Sequence, residues 1–409
     1  MKNKKETVFC MMFGFEYFEH VLTQKKFLIK KISQSFEKFY LINSTKLEIG
    51  KESFSLNIDY LRKKIPSNCE IIDPNGSEEF IDFSKDKNLI IYCNIGRLWR
   101  FFRIHYLLKK INAKLIYIHE IGMLNSAITA SKKAYLVRIF YHELPHKVVI
   151  LLSILNVFPK IDLRFLCNKD QYKKAINNFL FKISKKFKYI NFFYTKNFEL
   201  INSISYDQFK SNEIKVSEEK IVVVDTNINH HDALNEGWGV NHETFEKCYK
   251  DLEIYLKMLS NKFKKPVVVC VHPTADINRI KNLLRDFEVV KFQTKENIYK
   301  SFIVLFYNSA AIVDAFLLKK RIIVIENKRM GKNWAKLINL YAHKIGLLKI
   351  DLQKENKIIN NDSFLKKLDD IVKSEKYTNF INGQLMSDIS GMMGSDKIIS
   401  IIRKKYFDS

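Results

Sequence analysis

The sequence is short of the residues that staple, anchor or cradle. Its six cysteines (Cys10, Cys69, Cys93, Cys167, Cys248 and Cys270) stand far apart. With no CxxC pair and no Cys/His ligand spacing among them, a disulfide framework and the usual zinc sites are excluded. Most lie within apolar runs, as small buried thiols do, and a reduced cytoplasmic setting is expected. No apolar run is long enough to cross a bilayer: the longest, residues 148–158 (VVILLSILNVF), falls well short of the roughly 20 residues needed. The opening MKNKKETVFCMMFGF starts basic, but its apolar stretch is brief, ends at Glu16 and lacks a small-residue cleavage pattern, so a first strand is expected there and not a signal peptide. Also missing are the G-x-x-x-x-G-K-[ST] phosphate loop, the dinucleotide G-x-G-x-x-G and the G-x-S-x-G nucleophile elbow, which removes the NTPase, dehydrogenase and α/β-hydrolase readings. There is no internal repeat, and no block of five or more lysines and arginines.

What is present is apolar and basic. The 409 residues are too many for one ordinary core and suit two domains. Apolar residues make up 47% of the chain, with 32 Phe and 19 Tyr, enough to bury and too much for low-complexity disorder. Lysine and arginine outnumber aspartate and glutamate by 69 to 44, a net charge of +25 that attracts nucleic acid, phosphorylated substrates or an anionic membrane face. Because the lysines are scattered, a generally basic surface is favoured over a nucleic-acid arm, and the aromatics fall in core-like runs and not in basic exposed stripes. Residues 148–158, flanked by Lys147 and Lys160 with His142 and His146 upstream, read as a core helix or as a segment lying along a membrane surface.

Strand-like and helix-like runs alternate from end to end, the pattern of an α/β chain with parallel sheets. Strands are expected at 7–13, 88–93, 114–118, 188–194, 221–224, 267–271, 303–306 and 322–325. Helices are expected at about 98–110, 170–187, 243–263, 310–318 and 397–406. The polar stretch SISYDQFKSNEIKVSEEK marks a boundary near 200–218. The resulting division is residues 1–205, 206–390 and a C-terminal helix in 391–409.

In open α/β sheets ligands collect beyond the carboxyl ends of the strands. VVVCVHPTAD places His272 there, with Pro273 fixing the turn, and IVLFYNSAA places Asn308, Ser309 and Ala310 after the strand of the next βαβ unit, one crossover on. An imidazole N–H and a serine hydroxyl both donate to anionic oxygens, so the pair suits a phosphate. Each residue alone also fits a plainer duty, His272 at a strand end and Ser309 as an N-cap.

HPTAD, followed about thirty-five residues later by YNSAAIVDAFLLKKRIIVIE, resembles the carboxy-terminal half of GT-B glycosyltransferases that build bacterial surface polysaccharides. It is similar in style to the bacterial sialyltransferases, whose HP motif and serine motif hold the nucleotide phosphate. The resemblance implies that His272 and Ser309 are donor-phosphate ligands; it departs at Ala310, where those enzymes usually have a second hydroxyl residue. They also carry an acidic-acidic-Gly motif that supplies a general base. Here KLIYIHEIG offers Glu120 and Gly122, with Ile121 in place of one acid. A carboxylate at a strand's carboxyl end can deprotonate an acceptor hydroxyl, and His119 is the second candidate, since a neutral imidazole does the same.

Further candidates follow from position. Asp225, the second acidic candidate for the catalytic role beside Glu120, ends a strand in VVVDTNINHHDALNEGWG and is expected at the cleft, as is His231 in the loop rich in His and Asp that follows it. Such a loop is competent for metal, yet adjacent histidines seldom converge and no metal is expected. Asn94 and Gly96 form a strand-to-helix turn close enough for a backbone to approach a ligand.

The expectation is an α/β protein of GT-B class, two Rossmann-like domains across a cleft, acting as a glycosyltransferase. It would move a sugar from a CMP- or UDP-linked donor to a surface glycan or lipid-linked acceptor, inverting and without cofactor or metal, in the cytoplasm or at the inner face of the membrane. The alternatives are a CDP-glycerol-type polyol-phosphate transferase and, from another class, a basic nucleic-acid-binding protein; no nucleic-acid partner is expected.

Overall fold

The computed structural model describes residues 5–13, 18–48, 58–95, 99–119, 140, 144–179, 182, 195–211, 216–229, 239–354, 361–388 and 390–408. Among them the chain forms two compact units. One takes the residues up to His119, those from 140 to Asp207 and those from Met386 on; the other takes those from Gln208 to Leu385.

The first unit is built on seven strands: β1 (Glu6–Phe13), β2 (Phe39–Asn43), β3 (Cys69–Ile72), β4 (Lys87–Asn94), β5 (Lys114–His119), β6 (Ile161–Leu166) and β7 (Phe198–Leu200), ordered β3-β2-β1-β4-β5-β6-β7. The second has six: β8 (Lys220–Val224), β9 (Val267–Val271), β10 (Glu288–Lys291), β11 (Ser301–Phe306), β12 (Arg321–Glu326) and β13 (Leu348–Asp351), ordered β10-β9-β8-β11-β12-β13. Every pairing in both sheets is parallel.

Both orders follow the doubly wound pattern, in which the first strand lies centrally and the winding reverses beside it. The residues explain why. Ile221–Val224 and all of β9 and β11 are buried. Strands covered on both faces read as unbroken branched apolar runs, and only helices returning over each face can cover them. The long helix His242–Phe263 does this between β8 and β9. Asn241 caps it, accepting from the Thr244 N–H at 2.9 Å, and buried Phe245, Tyr249, Leu252, Leu256 and Leu259 form its inner stripe. Lys320 is buried at the amino-terminal edge of the same sheet, where its ammonium donates to the carbonyls of Ser217, Tyr299 and Ser301 at 2.9, 3.1 and 2.7 Å. All three of its protons are therefore used, as a buried cation requires.

The strands not expected from sequence are β2, β3, β6, β7, β10 and β13. Residues expected as a helix from 170 to 187 form Lys169–Ile176 in the described part, the polar stretch near 204 contains the helix Ile204–Lys210, and the strand expected at 188–194 lies outside the described residues. All six cysteines are free and buried.

The last helix, Gly394–Tyr406, belongs to the first unit. Asp207 caps its amino end, accepting from the N–H of Gly394 and of Ser395 at 2.6 Å each. Burial pushes this carboxyl up to about 6, against the pull of those N–H groups. Asn202 donates to the Met392 carbonyl at 2.8 Å and accepts from the Asp388 N–H at 3.0 Å. A Cβ on Gly394 would stand 2.0 Å from the Asn202 carbonyl oxygen, so only glycine admits this approach. Gly394→Ala is expected to cost about 1–3 kcal/mol as the backbone shifts, read by chemical denaturation. Asp207→Ala should cost about as much as a lost N-cap, roughly 0.5–2 kcal/mol.

Candidate active site in the second unit

β8 lies between β9 and β11, so the carboxyl ends of these three strands stand side by side at the winding reversal. From them emerge Asp225, His272 and Tyr307–Asn308–Ser309. The sequence placed His272 and Ser309 one crossover apart. In the structure β10 and the helix Thr294–Tyr299 intervene in the chain, and β8 separates β9 from β11 in the sheet. The two residues therefore flank β8 at a strand-axis separation of roughly 9–10 Å.

His272 is exposed and held by its neighbours. Its Nδ1 accepts from the Thr274 N–H at 3.3 Å and lies 2.8 Å from Thr274 Oγ1. A backbone N–H can only donate, so Nδ1 is the acceptor and the neutral ring carries its proton on Nε2. Thr274 Oγ1 in turn accepts from Asn227 Nδ2 at 3.0 Å, which ties the end of β9 to the loop leaving β8. Pro273 sits inside the turn closed by Ala275 N–H to His272 C=O at 2.9 Å, and Asp276 caps the following helix, Ile277–Leu283. Thr274 and Asn227 were not singled out from sequence. The signal available was a hydroxyl two residues beyond a histidine, which sequence alone does not distinguish from an ordinary turn residue.

On the other flank Ser309 is half-buried and caps the turn Ala310–Ile312, its Oγ accepting from the Ala311 N–H at 3.3 Å, which leaves the hydroxyl proton to donate. Ala310 is exposed. Asn308 accepts through Oδ1 from the Tyr341 hydroxyl at 2.8 Å, which fixes the amide against the helix Gly331–Ile345. Tyr307 is buried against Trp334, ring centroids 5.7 Å apart.

Asp225 is placed beneath this surface, not on it. It is 2% exposed, its Oδ2 accepts from the Tyr249 hydroxyl at 2.5 Å, and its Oδ1 has no hydrogen-bond partner among the described residues. Burial pushes its pKa up to about 7, opposed by the Tyr249 hydroxyl and the Thr226 N–H. A carboxyl so enclosed ties the end of β8 to the helix His242–Phe263.

In the first unit Asn94 ends β4 opposite Phe13 of β1, at the corresponding reversal, and is half-buried. His119 ends β5; burial lowers its pKa, and Arg164 on the neighbouring strand lowers it further, so the imidazole is held neutral. Gly96, Glu120, Gly122 and His231 lie outside the described residues. Among the described residues no cluster of His, Cys, Asp or Glu could hold a metal ion.

No protein-family model matches the chain, and no curated protein matches it in sequence. Solved structures match in fold. The wall teichoic acid polymerase TagF aligns over 100% of this chain and 90% of its own, at 13% identity and a TM-score of 0.53. MnaA of S. aureus, in a structure with UDP, aligns over 97% and 96% at 12% identity, TM-score 0.50. Two parallel-sheet Rossmann-like units of seven and six strands, shared with these proteins, make this an α/β chain of GT-B class.

The raised pKa of Asp225 sets a pH dependence with a definite sign. The folded state holds the proton up to about 7, whereas an unfolded aspartate releases it near 4. Stability from this group is thus full below about 4 and falls through that window, by at most roughly 1.4 kcal/mol per pH unit. Asp207 and Asp314, both pushed up to about 6, act in the same direction. Asp225→Asn should therefore flatten, but not abolish, the decline in unfolding free energy between pH 4 and 7, measured by denaturant titration at each pH.

Proposed function

We propose that this chain is a transferase using a nucleotide-activated donor, whose phosphate is held over the end of β8 by His272 Nε2–H from one flank and the Ser309 hydroxyl from the other. The observation that carries this reading is the oriented imidazole: Asn227 fixes Thr274, and Thr274 fixes Nδ1 as acceptor. Its Nε2 proton is thereby committed as a donor, which suits an anionic oxygen and not a general base. A donor N–H and O–H at a leaving phosphate stabilise the charge that develops as the bond to the transferred group breaks, which is where such sites gain most of their rate. Holding donor and acceptor in line adds the rest.

The group transferred is a sugar, from a CMP- or UDP-linked donor to a surface glycan or lipid-linked acceptor, with inversion and without metal or cofactor. Glu120 is assigned the acceptor proton, with His119, a neutral imidazole, as the alternative base. A second reading, transfer of a polyol phosphate from a CDP-linked donor, is supported by the fold shared with a wall teichoic acid polymerase that has also been solved after soaking with CDPG.

A thermal-shift series with CMP, CDP, UDP and GDP tests the site. One nucleotide should stabilise the wild type, by about 2.7 kcal/mol at a hundredfold excess over Kd, and lose most of that effect in His272→Ala and Ser309→Ala. Equal stabilisation of both variants would remove the site from this role. Phosphorus in the acceptor product decides for polyol-phosphate transfer and against glycosyl transfer, and undiminished turnover in Glu120→Gln would exclude that carboxylate as the base.

A further inference from the structure

The helix Leu144–Ile154 in the first unit buries Pro145, Val149 and Ser153 along one stripe. The opposite stripe is apolar as well: Leu151 is 53% exposed and Leu155, which continues the turn, is 62% exposed; Val157, in the turn just beyond the helix, is 46% exposed. Phe140, 55% exposed, joins this region through its carbonyl, which accepts from Trp99 Nε1 at 3.0 Å. Tyr106, 57% exposed, stands on the helix Phe102–Lys110, which reaches the same turn where Lys109 donates to Asn156 at 2.8 Å and Phe102 meets Phe158 at 5.4 Å. Scattered exposed leucines need no explanation, but a contiguous set on one face does.

Lysines dominate the surrounding charge, although Lys196 is paired with Asp162 at 2.7 Å. Lys110 and Lys147 are exposed on the two helices, and Lys109, Lys160 and Lys196 lie near enough to one another that the other two lower the pKa of Lys160, after burial. Like charges gathered beside an apolar stripe are unfavourable in water alone and become favourable against a surface offering acyl chains and anionic headgroups together. No helix among the described residues is long and apolar enough to cross a membrane, so the geometry fits lying on one.

We propose that the face formed by Leu151, Leu155 and Val157, rimmed by Lys110, Lys147 and Lys160, docks the protein on a bilayer surface rich in anionic phospholipid. This inference does not depend on which group the second unit transfers.

The test is co-sedimentation of the full chain with vesicles of phosphatidylcholine alone and of phosphatidylcholine mixed with phosphatidylglycerol. Binding to the mixed vesicles, weakened by salt, is expected, with little to the neutral ones. Leu151→Asp with Leu155→Asp should weaken it at least tenfold, and Lys110→Gln with Lys147→Gln by roughly 25-fold. All four side chains are exposed, so the variants should fold, which unchanged melting and nucleotide binding would verify. Failure of the wild type to bind, equal binding to both vesicles, or wild-type binding by the aspartate variant would overturn the proposal. So would a dimer in ultracentrifugation that the aspartate pair splits, since the face would then cover a second copy.

Discussion

A parallel strand buried on both faces can present polar chemistry only at its ends. That constraint governs the second unit. β8 and its neighbours are so uniformly apolar that nothing along their length could bind a charged ligand, and their backbone groups are spent on the sheet. The first side chains able to do chemistry are the ones just past the carboxyl ends, His272 and Ser309, with Asp225 enclosed beneath them. Because the winding reverses beside β8, these ends have no crossover helix passing directly over them, as the doubly wound topology dictates.

The residues divide by depth. Asp225, enclosed with Tyr249, stays below and ties the end of β8 to the helix His242–Phe263; Asn227 from the loop after β8 reaches Thr274, and Thr274 sets the ring of His272. On the other flank Tyr341 sets Asn308. His272 and Asn308 are thus each oriented by a neighbouring side chain, Thr274 and Tyr341, the arrangement a site needs if it is to bind without first reorganising.

Much of this was legible in the sequence, and the failures have physical reasons. Strands with continuous apolar runs (β1, β4, β5, β8, β9, β11 and β12) and the 22-residue helix His242–Phe263 carried clear patterning and were expected nearly where they lie. β3 and β10, of four residues each and only partly buried, are too brief for periodicity to separate them from loop. Overlooking β10 led to the expectation that His272 and Ser309 were one crossover apart. The burial of Asp225 was not readable either, because whether a strand-end carboxylate faces water depends on Tyr249, contributed by a helix two dozen residues on. The net charge of +25 was visible at once, whereas its local meaning, lysines rimming an apolar helix face, appears only when the helices Phe102–Lys110 and Leu144–Ile154 are brought together.

The most direct measurement is of the imidazole itself. Long-range ¹H–¹⁵N correlation spectra of the ten histidines, with His272 assigned from the spectrum of His272→Gln, report which ring nitrogen carries the proton. The expected result is an unprotonated Nδ1 and a protonated Nε2 whose resonance moves when a nucleoside diphosphate is added. A proton on Nδ1, or an Nε2 signal indifferent to every nucleotide, would contradict the assignment of this site to phosphate binding.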